Sequence, residues 1–472
     1  MKIAVVGGGI GGVCAAAWLT KQQHDVTLYE KEPALGGSCA TFVRGLEVYN
    51  AAATTFAGYG HNALVQRFFD EIGLDLSDLY EPTPFATYTP QGMLLCQGDK
   101  QSFLAQLDHL WPSTQHAPFW NLIWETAEKF YCHDRYYLSS HDWLNRCFSL
   151  GSFIPLGCEL GWAIIQKATD VAKRYYQNFD PAYRQFLDAQ VRIVAQTSFA
   201  DVSFLTAALA LAYPMGAHGH IRGGMGSVFE RIRPMITTVR CQTAVTKLRT
   251  HDNHFCLSSQ HGEELFEGVV WGAGLQMLQS CCDDARLKRY LSHYPTKTAD
   301  QSAFVVYLSL ASTSLPTMQA PSGQILLSQP YALTMSDAVF VSVCKTPTST
   351  TLTISIHTRP SWWRQMDETT YKNAKKRLQQ AIVDDVCATL SLPKEAIIKL
   401  FSATPRTFER YIGRSDVGGF PLSYHRLLTD MIPNDTPIKG LYLVGEEVFA
   451  GQGWPGVIMG VRNFTKVFRV RE

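Results

Sequence analysis

Residues 3–37 read IAVVGGGIGGVCAAAWLTKQQHDVTLYEKEPALGG, and this stretch decides the fold. A β-branched run, Ile3–Val6, precedes a glycine run, a helix-prone segment, Val13–Lys21, and a second strand, Val26–Tyr29. This is the order of a β-α-β unit with a G-x-G-x-x-G fingerprint. The sequence therefore predicts an α/β domain of the Rossmann type that binds a dinucleotide.

Three glycines and one acid in this stretch have separate mechanical roles. Gly7 makes the tight turn out of the strand, Gly9 has no side chain to hold a pyrophosphate away, and Gly12 lets the helix lie close to the sheet. The helix then offers free N–H groups and the positive end of its dipole to the phosphates. Glu30 is placed to accept both ribose hydroxyls, and its charge would repel the 2′-phosphate of NADP.

Two other interpretations of the stretch are weaker. A glycine-rich turn in an unrelated α/β domain would not need a strand before it, a helix after it and an acid at this distance. A secretion signal would need an unbroken apolar core before Ala15–Ala17, and the glycines and Lys21 interrupt that core. We therefore expect the segment to belong to the folded domain.

The length and charge of the chain limit the classes of protein to which it can belong. A chain of 472 residues is long enough for two or three domains. Lys and Arg number 42 against 41 Asp and Glu, and no long basic run occurs, so we expect no nucleic-acid partner. The 12 cysteines are scattered without a C-x-x-C pair, which favours reduced thiols and a cytoplasmic location.

Two groups of residues have the types found in metal or redox sites. The adjacent pair Cys281 and Cys282 is interpreted as packing rather than as a redox pair. The second group consists of His251, His254, Cys256 and His261. It lies between two strand-like pieces, which is typical of a polar hairpin loop, so no metal site is expected.

The chain from about residue 61 to residue 214 has helical and aromatic character. Helices are predicted at 62–72, 100–111, 116–131 and 180–193.

Two pieces of this region, 148–165 and 204–215, are unusually apolar. Pro155 and Glu159 interrupt the first piece and the second is short, so neither is expected to span a membrane. They are interpreted as the buried wall of a substrate cavity or as a surface that dips into one leaflet of a membrane.

Strand patterns return in the second half of the chain. A glycine loop at 219–226 opens a helix, and strands are predicted at 244–248, 255–259, 266–271, 303–310, 338–344 and 351–358. The strand at 266–271 runs into Gly272-Ala273-Gly274, which lacks a third glycine and a ribose acid. It therefore fits a returning strand of the first domain better than a second dinucleotide site.

The end of the chain repeats the order of strand, glycine turn and helix. A long helix is predicted at 369–390, a strand at Leu441–Val444, and a last helix that Pro455 can start, since its missing N–H costs nothing at the first helical position.

Five motifs resemble one flavoprotein superfamily, which holds phytoene desaturases, carotenoid isomerases, retinol saturases and, more distantly, amine oxidases. They are GGGIGG (7–12), EKEPALGG (30–37), GHIRGGMG (219–226), TPRTFERY (404–411) and LYLVGEEVFAGQGWPGV (441–457). The resemblance covers roughly residues 1–60, 215–275 and 400–472. It implies FAD as cofactor and an α/β, two-domain flavoprotein.

The resemblance also implies how the chain divides. A Rossmann-type, glutathione reductase-like FAD-binding domain would comprise residues 1–75, 215–285 and 405–472. A mixed-sheet substrate domain with a helical cap would comprise 76–214 and 286–404, with the apolar helical region at 100–214.

Site residues follow from the resemblance position by position. Near the pyrophosphate, ribose and adenine it places Gly7, Gly9, Ile10, Gly11, Gly12, Glu30, Lys31, Gly37, Ser38, Val245 and Gly272. Near the ribityl chain and the isoalloxazine it places Thr54, Gly445, Glu446, Gln452, Trp454, Pro455, Gly456 and Val457.

The chain departs from the superfamily pattern at three places. Asn50-Ala51-Ala52 stands where Asp-x-Gly is common, and Ala450 stands where proline is frequent. Glu446 replaces the alanine of many polyene desaturases, which favours the isomerase-like and amine oxidase-like branches.

Three functions fit these motifs. The first is an FAD-dependent oxidoreductase that desaturates, saturates or isomerises a long apolar polyene or isoprenoid substrate. The second is a flavin amine oxidase that produces hydrogen peroxide, with Trp454 as half of an aromatic cage. The third is a flavin-binding protein without turnover.

The sequence identifies no catalytic acid or base. The expected partners are an apolar small molecule, a quinone or dioxygen as electron acceptor, and the membrane surface as a peripheral contact.

Overall fold

The structure of the protein is a computed structural model. It describes residues 1–61, 63–132, 137–139, 143–251, 254–294, 300–311, 319–346 and 349–471. The first residue of the predicted helix at 62–72 and the tip of the predicted hairpin loop, 252–253, lie outside the described residues.

The strands are β1 (Lys2–Val6), β2 (Asp25–Tyr29), β3 (Thr41–Arg44), β4 (Glu47–Asn50), β5 (Tyr80–Pro82), β6 (Phe85–Thr89), β7 (Gly92–Cys96), β8 (Gly219–Ile221), β9 (Thr238–Arg240), β10 (Val245–Thr250), β11 (Phe255–Ser259), β12 (Gly262–Phe266), β13 (Gly268–Trp271), β14 (Ser302–Leu310), β15 (Ser322–Leu326), β16 (Ala338–Lys345), β17 (Thr350–Thr358), β18 (Ile397–Ala403) and β19 (Leu441–Leu443).

The helices are α1 (Ile10–Lys21), α2 (Leu64–Ile72), α3 (Lys100–Leu110), α4 (His116–Cys132), α5 (Trp143–Gly151), α6 (Ile154–Leu160), α7 (Ala168–Ala172), α8 (Pro181–Ala195), α9 (Phe204–Ala212), α10 (Gly226–Ile232), α11 (Leu275–Cys281), α12 (Ala285–Leu291), α13 (Pro360–Arg364), α14 (Glu368–Thr389), α15 (Pro405–Ile412) and α16 (Gly453–Arg471).

A parallel five-stranded sheet has the order β19-β13-β1-β2-β9. The strands β1, β2, β13 and β19 are buried almost throughout and the edge strand β9 is half-buried, as expected where helices cover both faces of a parallel sheet. The last helix, α16, packs against the first, α1, through an edge-to-face contact of Trp18 with Phe464 at 6.0 Å. The α/β class and the Rossmann-type unit predicted from residues 3–37 are confirmed.

The predicted strand at 266–271 is wrong in one respect, because the structure splits it between two sheets. Phe266 ends β12 and pairs with Phe255 of an antiparallel three-stranded sheet, β10-β11-β12. Gly268 begins β13 and pairs with Ile3 of the parallel sheet. The strand that runs into Gly272 therefore belongs to the first sheet, as predicted.

The four residues predicted to share one hairpin loop do not share it, because His251 and His254 flank the turn between β10 and β11, Cys256 lies within β11 and His261 lies in the turn between β11 and β12. The hairpin is closed by pairing of Thr250 with Phe255, and the His251 N–H donates to the His254 carbonyl at 2.8 Å. Cys281 and Cys282 are buried free thiols in the core beside β13. Across the described residues no group of three potential ligands could hold a metal ion.

A mixed seven-stranded sheet has the order β18-β14-β17-β16-β15-β6-β7 and contains the three β-rich runs predicted between 302 and 358. Side chains alternate along its strands. Phe304 and Val306 pack on one face with Trp363, whereas Val305 and Tyr307 pack on the other. The second face is turned towards the parallel sheet, because its Tyr307 lines the same cavity as Gly9 and Glu30.

The helical region between 100 and 214 has the predicted helices, with shifts of a few residues at their ends. The apolar piece 204–215 forms the buried helix α9. The piece 148–165 is divided among α5, α6 and a 3₁₀ turn, Trp162–Ile165, and exposes many side chains. In the described part of the chain, no helix is both long and apolar enough to cross a membrane.

The last helix begins earlier than predicted. It starts at Gly453, so Pro455 lies within its first turn and not at its first position. The four first N–H groups of a helix lack intrahelical partners, so proline is tolerated there as well. The domain boundaries inferred from the resemblance stay a prediction.

Candidate active site

A cavity of about 920 Å³ opens at the carboxyl ends of β1, β2, β13 and β19. Its walls come from both large sheets, since Gly9 and Glu30 line one side and Tyr307 and Phe401 line the other. Ligands of open α/β sheets bind at this end of the strands, where the strand order reverses. The cavity is therefore the candidate active site.

The glycines of the first loop shape the floor of the cavity. Gly7 has φ +103°, and a Cβ there would lie 2.7 Å from the Gly272 carbonyl carbon. A Cβ on Gly12 would lie 2.0 Å from the Gly7 oxygen. A Cβ on Gly9 would meet no atom within 4 Å, so space remains above this residue. Two glycines are thus required by backbone contacts, while Gly9 keeps a cradle open for a ligand.

Glu30 is held by backbone donors at the end of β2. The Gly8 N–H donates to one carboxylate oxygen at 2.7 Å, and the Glu32 N–H donates to the other at 2.9 Å. Burial raises the pKa of Glu30, although both backbone hydrogen bonds act in the opposite direction. Each oxygen retains a lone pair for a further donor, so the carboxylate can accept hydroxyl groups of a ribose.

A second glycine loop covers the first one. The Gly36 N–H donates to the Gly8 carbonyl at 2.7 Å, which fixes the loop over the cradle. A Cβ on Gly37, whose φ is +56°, would lie 3.5 Å from the Gly9 Cα. Gly37 and Ser38 both line the cavity, next to the space above Gly9.

The loop after β19 closes the same site from the other end of the chain. Its Glu446 carboxylate pairs with Arg414 and accepts from the Gly418 N–H at 3.3 Å. Glu447 accepts from the Leu275 N–H at 2.7 Å and lies 3.5 Å from Arg414. Burial disfavours the charged guanidinium, but the two carboxylates raise the pKa of Arg414 above its ordinary value. Arg414 therefore stays a cation beside the cavity.

An aromatic cluster forms the opposite wall. The ring centroids of Tyr307 and Phe401 lie 4.9 Å apart, and Phe42 lies 5.3 Å from Tyr307. Tyr49 packs behind them, 5.1 Å from Phe401. The Tyr307 hydroxyl donates to the Ala51 carbonyl, and burial raises the pKa of Tyr307. The cluster is anchored to the loop after β4, and the Arg44 guanidinium lies over the Phe401 ring, 4.3 Å from its centroid.

Asn50, which stands where the superfamily commonly has Asp, has a structural role. The Asn50 side chain is buried, and its oxygen accepts from the Met225 N–H at 2.9 Å. It therefore joins the end of β4 to the glycine loop that opens α10. Its neighbour Ala51 lines the cavity.

Most residues predicted from the resemblance line the cavity. These are Gly7, Gly9, Ile10, Gly11, Glu30, Lys31, Gly37, Ser38, Val245, Gly272, Gly445, Glu446 and Val457.

The other predicted residues do not form its wall, namely Gly12, Thr54, Gln452, Trp454, Pro455 and Gly456.

Two of these residues have other contacts. The Gln452 side chain donates to the Ile193 carbonyl at 2.8 Å and so ties the turn before α16 to α8. Trp454 is buried, with its ring centroid 4.7 Å from that of Phe56.

Sequence reasoning missed a set of lining residues, of which the chief ones are Phe42, Arg44, Tyr307, Tyr371, Lys375, Phe401, Arg406, Tyr411 and Arg414. The motif TPRTFERY contained a signal, since Arg406, Phe408 and Tyr411 within it line the cavity.

The chain is similar to known proteins over different shares of its length. The family model described as NAD(P)-binding Rossmann-like domain matches residues 5–72. The chain is 22% identical to prolycopene isomerase 1, chloroplastic, of an Oncidium hybrid cultivar, over 95% of this chain and 80% of that protein.

Two solved structures have the same fold. One is wild-type putrescine oxidase bound to putrescine (13% identity, 100% of both chains, TM-score 0.63). The other is the CLA-producing fatty acid isomerase from P. acnes (14% identity, 99% of this chain and 98% of that one, TM-score 0.58).

The fold and the cradle are typical of two-domain enzymes that bind a dinucleotide. Over 95% of its length the chain is similar to a prolycopene isomerase, and its fold is that of the putrescine oxidase and fatty acid isomerase structures. The resemblance predicted from the five motifs is confirmed.

Proposed function

We propose that the protein is an FAD-dependent oxidoreductase that acts on a long apolar polyene or isoprenoid substrate, with cis–trans isomerisation as its foremost reaction. The observation that carries this proposal is the extent of the similarity to prolycopene isomerase, which runs through both large sheets and is not confined to the Rossmann unit. A shared cofactor alone would explain similarity around residues 5–72 and in the cavity wall near Gly445 and Val457, but not across the seven-stranded sheet.

The residues of the cavity fit FAD. The open space above Gly9 and the N-terminus of α1 would hold the pyrophosphate, and the Glu30 carboxylate would hold the adenosine ribose. The cavity continues past Gly445 to Val457 in α16. The cofactor would supply reversible acceptance of a hydride or an electron, which the side chains themselves cannot provide.

The chain's own residues have supporting roles in this proposal. The α16 helix reaches the cavity wall at Val457, and the positive end of its dipole would stabilise negative charge there by about 0.3–2 kcal/mol. The aromatic side chains of Phe42, Tyr307 and Phe401 would pack against the apolar part of a ligand, beside the Arg44 cation that lies over Phe401. A quinone or dioxygen remains the proposed electron acceptor.

Trp454 supports the polyene substrate over an amine. An aromatic cage for an amine needs a ring at the cavity wall, and Trp454 instead packs in the core against Phe56.

The test begins with the visible spectrum of the purified protein, followed by anaerobic incubation of its reduced form with a poly-cis polyene and chromatography of the isomers. We expect flavin absorbance and a change in isomer composition. Protein that takes up no FAD contradicts the cofactor, and flavin-loaded protein that leaves every polyene unchanged contradicts the substrate. Hydrogen peroxide formed with amines, and not with polyenes, would support an amine oxidase.

A further inference from the structure

Seven large apolar side chains are exposed within 23 consecutive residues, 143–165. They form what we call the apolar face, which consists of Trp143, Leu144, Phe148, Leu150, Ile154, Trp162 and Ile165. Trp162 is 79% exposed and Trp143 is 72% exposed. The chain has 10 tryptophans, and the other eight are buried or half-buried. A concentration of this kind marks an interaction surface.

The segment that carries the apolar face is firmly attached on its inner side. The Arg146 guanidinium donates to the Thr429 carbonyl at 2.7 Å, and Leu156 is buried. Phe153 meets Phe449 edge to face at 6.2 Å, just before the turn that opens α16. The exposed side chains therefore belong to a packed element whose outer side alone faces away from the protein.

The charges around the apolar face are mainly basic. Between 143 and 167 the charged residues are Arg146, Glu159 and Lys167. Lys129 pairs directly with Glu125, which raises the pKa of that lysine, and Glu159 lies near enough to add to the rise. The exposed Arg174 donates to Gln166, which places a further cation beside Ile165. Cations at the border of an apolar surface complement anionic lipid headgroups.

We propose that the apolar face docks on the surface of a bilayer that contains anionic lipids, with α5, α6 and the 3₁₀ turn immersed in one leaflet. The helices have 9 and 7 residues, far short of the ~20 that a membrane crossing requires. Tryptophan favours the level of the headgroups, which suits Trp143 and Trp162. Amphipathic elements with an aromatic side and basic borders bind membranes in this position. The proposal holds whatever the substrate of the enzyme.

The first test is flotation of the full-length protein with vesicles of phosphatidylcholine and phosphatidylglycerol. We expect the wild type to float and the double variant Phe148→Glu, Trp162→Glu to lose about tenfold in partition coefficient per substituted residue. The matched control is Leu265→Glu, Ile398→Glu, because these residues are 58% and 61% exposed and lie outside the apolar face. This control should float like the wild type.

A second pair of variants tests the charges. Lys167→Gln and Arg174→Gln should each weaken binding to the anionic vesicles about fivefold, and added salt should reduce the difference. Binding to phosphatidylcholine alone should not change. Melting curves of all variants establish that they are folded.

Three results would overturn the proposal. The first is that the wild type does not float with either lipid. The second is that the control variant loses as much binding as the apolar-face variant. The third is that the wild type does not bind vesicles but self-associates with rising concentration, and that the double variant Phe148→Glu, Trp162→Glu abolishes this self-association. That result would assign the apolar face to a second copy of the chain.

Discussion

Gly11 in the first turn of α1 and Gly445 after β19 meet so closely that a Cβ on Gly11 would lie 2.8 Å from the Gly445 amide nitrogen. Gly445 itself has φ +117°, a conformation that a side chain strains. The beginning and the end of the chain therefore build one wall of the cavity, where a side chain is excluded at Gly11 by this contact and strained at Gly445 by its backbone conformation.

Replacing Gly11 with Ala should reduce the free energy of unfolding by about 1–3 kcal/mol, because the new methyl group forces backbone atoms apart. Thermal unfolding of the two proteins measures the change. Gly157→Ala is the control, since a Cβ there meets nothing within 4 Å. Equal melting temperatures for Gly11→Ala and the wild type would contradict the contact.

Gly9→Leu should separate cofactor binding from folding. A Cβ on Gly9 meets no protein atom, and its φ of −73° suits any residue, so the variant should fold. The longer side chain would fill the cradle and weaken FAD binding tenfold or more, about 1–3 kcal/mol. Titration of the apoprotein with FAD measures this loss.

Gly157→Leu serves as the matched control, because the space beside Gly157 is equally free but lies outside the cavity. Unchanged FAD affinity in Gly9→Leu would show that the pyrophosphate does not occupy the cradle.

The two buried tyrosines of the aromatic wall should respond differently to loss of their hydroxyls. Tyr307→Phe removes the donor to the Ala51 carbonyl and should reduce the free energy of unfolding by about 0.5–1.5 kcal/mol. Tyr49→Phe should cost less, because within the described residues the buried Tyr49 hydroxyl has no hydrogen bond of good geometry, although burial raises its pKa and Ser309 lies near enough to oppose that rise. Denaturant unfolding of both variants gives the comparison, and equal losses would contradict it.

The contrast between these residues and Glu30 shows how far the sequence could predict the site. Glu30 lies a short distance along the chain from the glycines, in a unit whose geometry is set by local order. Tyr307 and Phe401 are direct partners on β14 and β18, and their contact depends on the register of two distant strands. A hydrophobic pattern predicts that such strands exist but not which residues face each other.

Trp454 illustrates a second limit. The glycines around it and Pro455 predicted a turn and a helix, and both are present. Whether the indole faced the cavity depended on Phe56, Phe69 and Phe229, which surround it from three separate segments. The motif alone contains no information about that packing.

Arg414→Met should be strongly destabilising. The substitution would leave Glu446 and Glu447 without their cation in a partly buried position, at a cost of about 2–4 kcal/mol. Lys372→Met is the control, because its pair with Glu368 is exposed and contributes at most about 1 kcal/mol. Thermal unfolding distinguishes the two, and similar small shifts would mean that the Arg414 pair contributes no more than a surface pair.

Asp416→Asn should stabilise the protein at neutral pH. One Asp416 oxygen is buried without a hydrogen bond in the described residues, and burial raises the pKa of this carboxyl to about 6 despite Arg414 and Arg364 nearby. A raised pKa means that the folded state binds the proton more tightly than the unfolded state does. The wild type therefore loses stability as the pH rises from about 4, the ordinary pKa of Asp, to about 6.

Asparagine abolishes this loss, so the advantage of Asp416→Asn should be absent near pH 4, grow up to pH 6 and then stay constant at about 1–2 kcal/mol. Unfolding measured across this pH range gives the profile. Asp25→Asn, at an exposed position, should show no such growth. The buried charge of Asp416 makes the difference in free energy of unfolding between variant and wild type grow between pH 4 and pH 6. A difference that is the same at every pH would therefore mean that the asparagine acts by its shape or its hydrogen bonds.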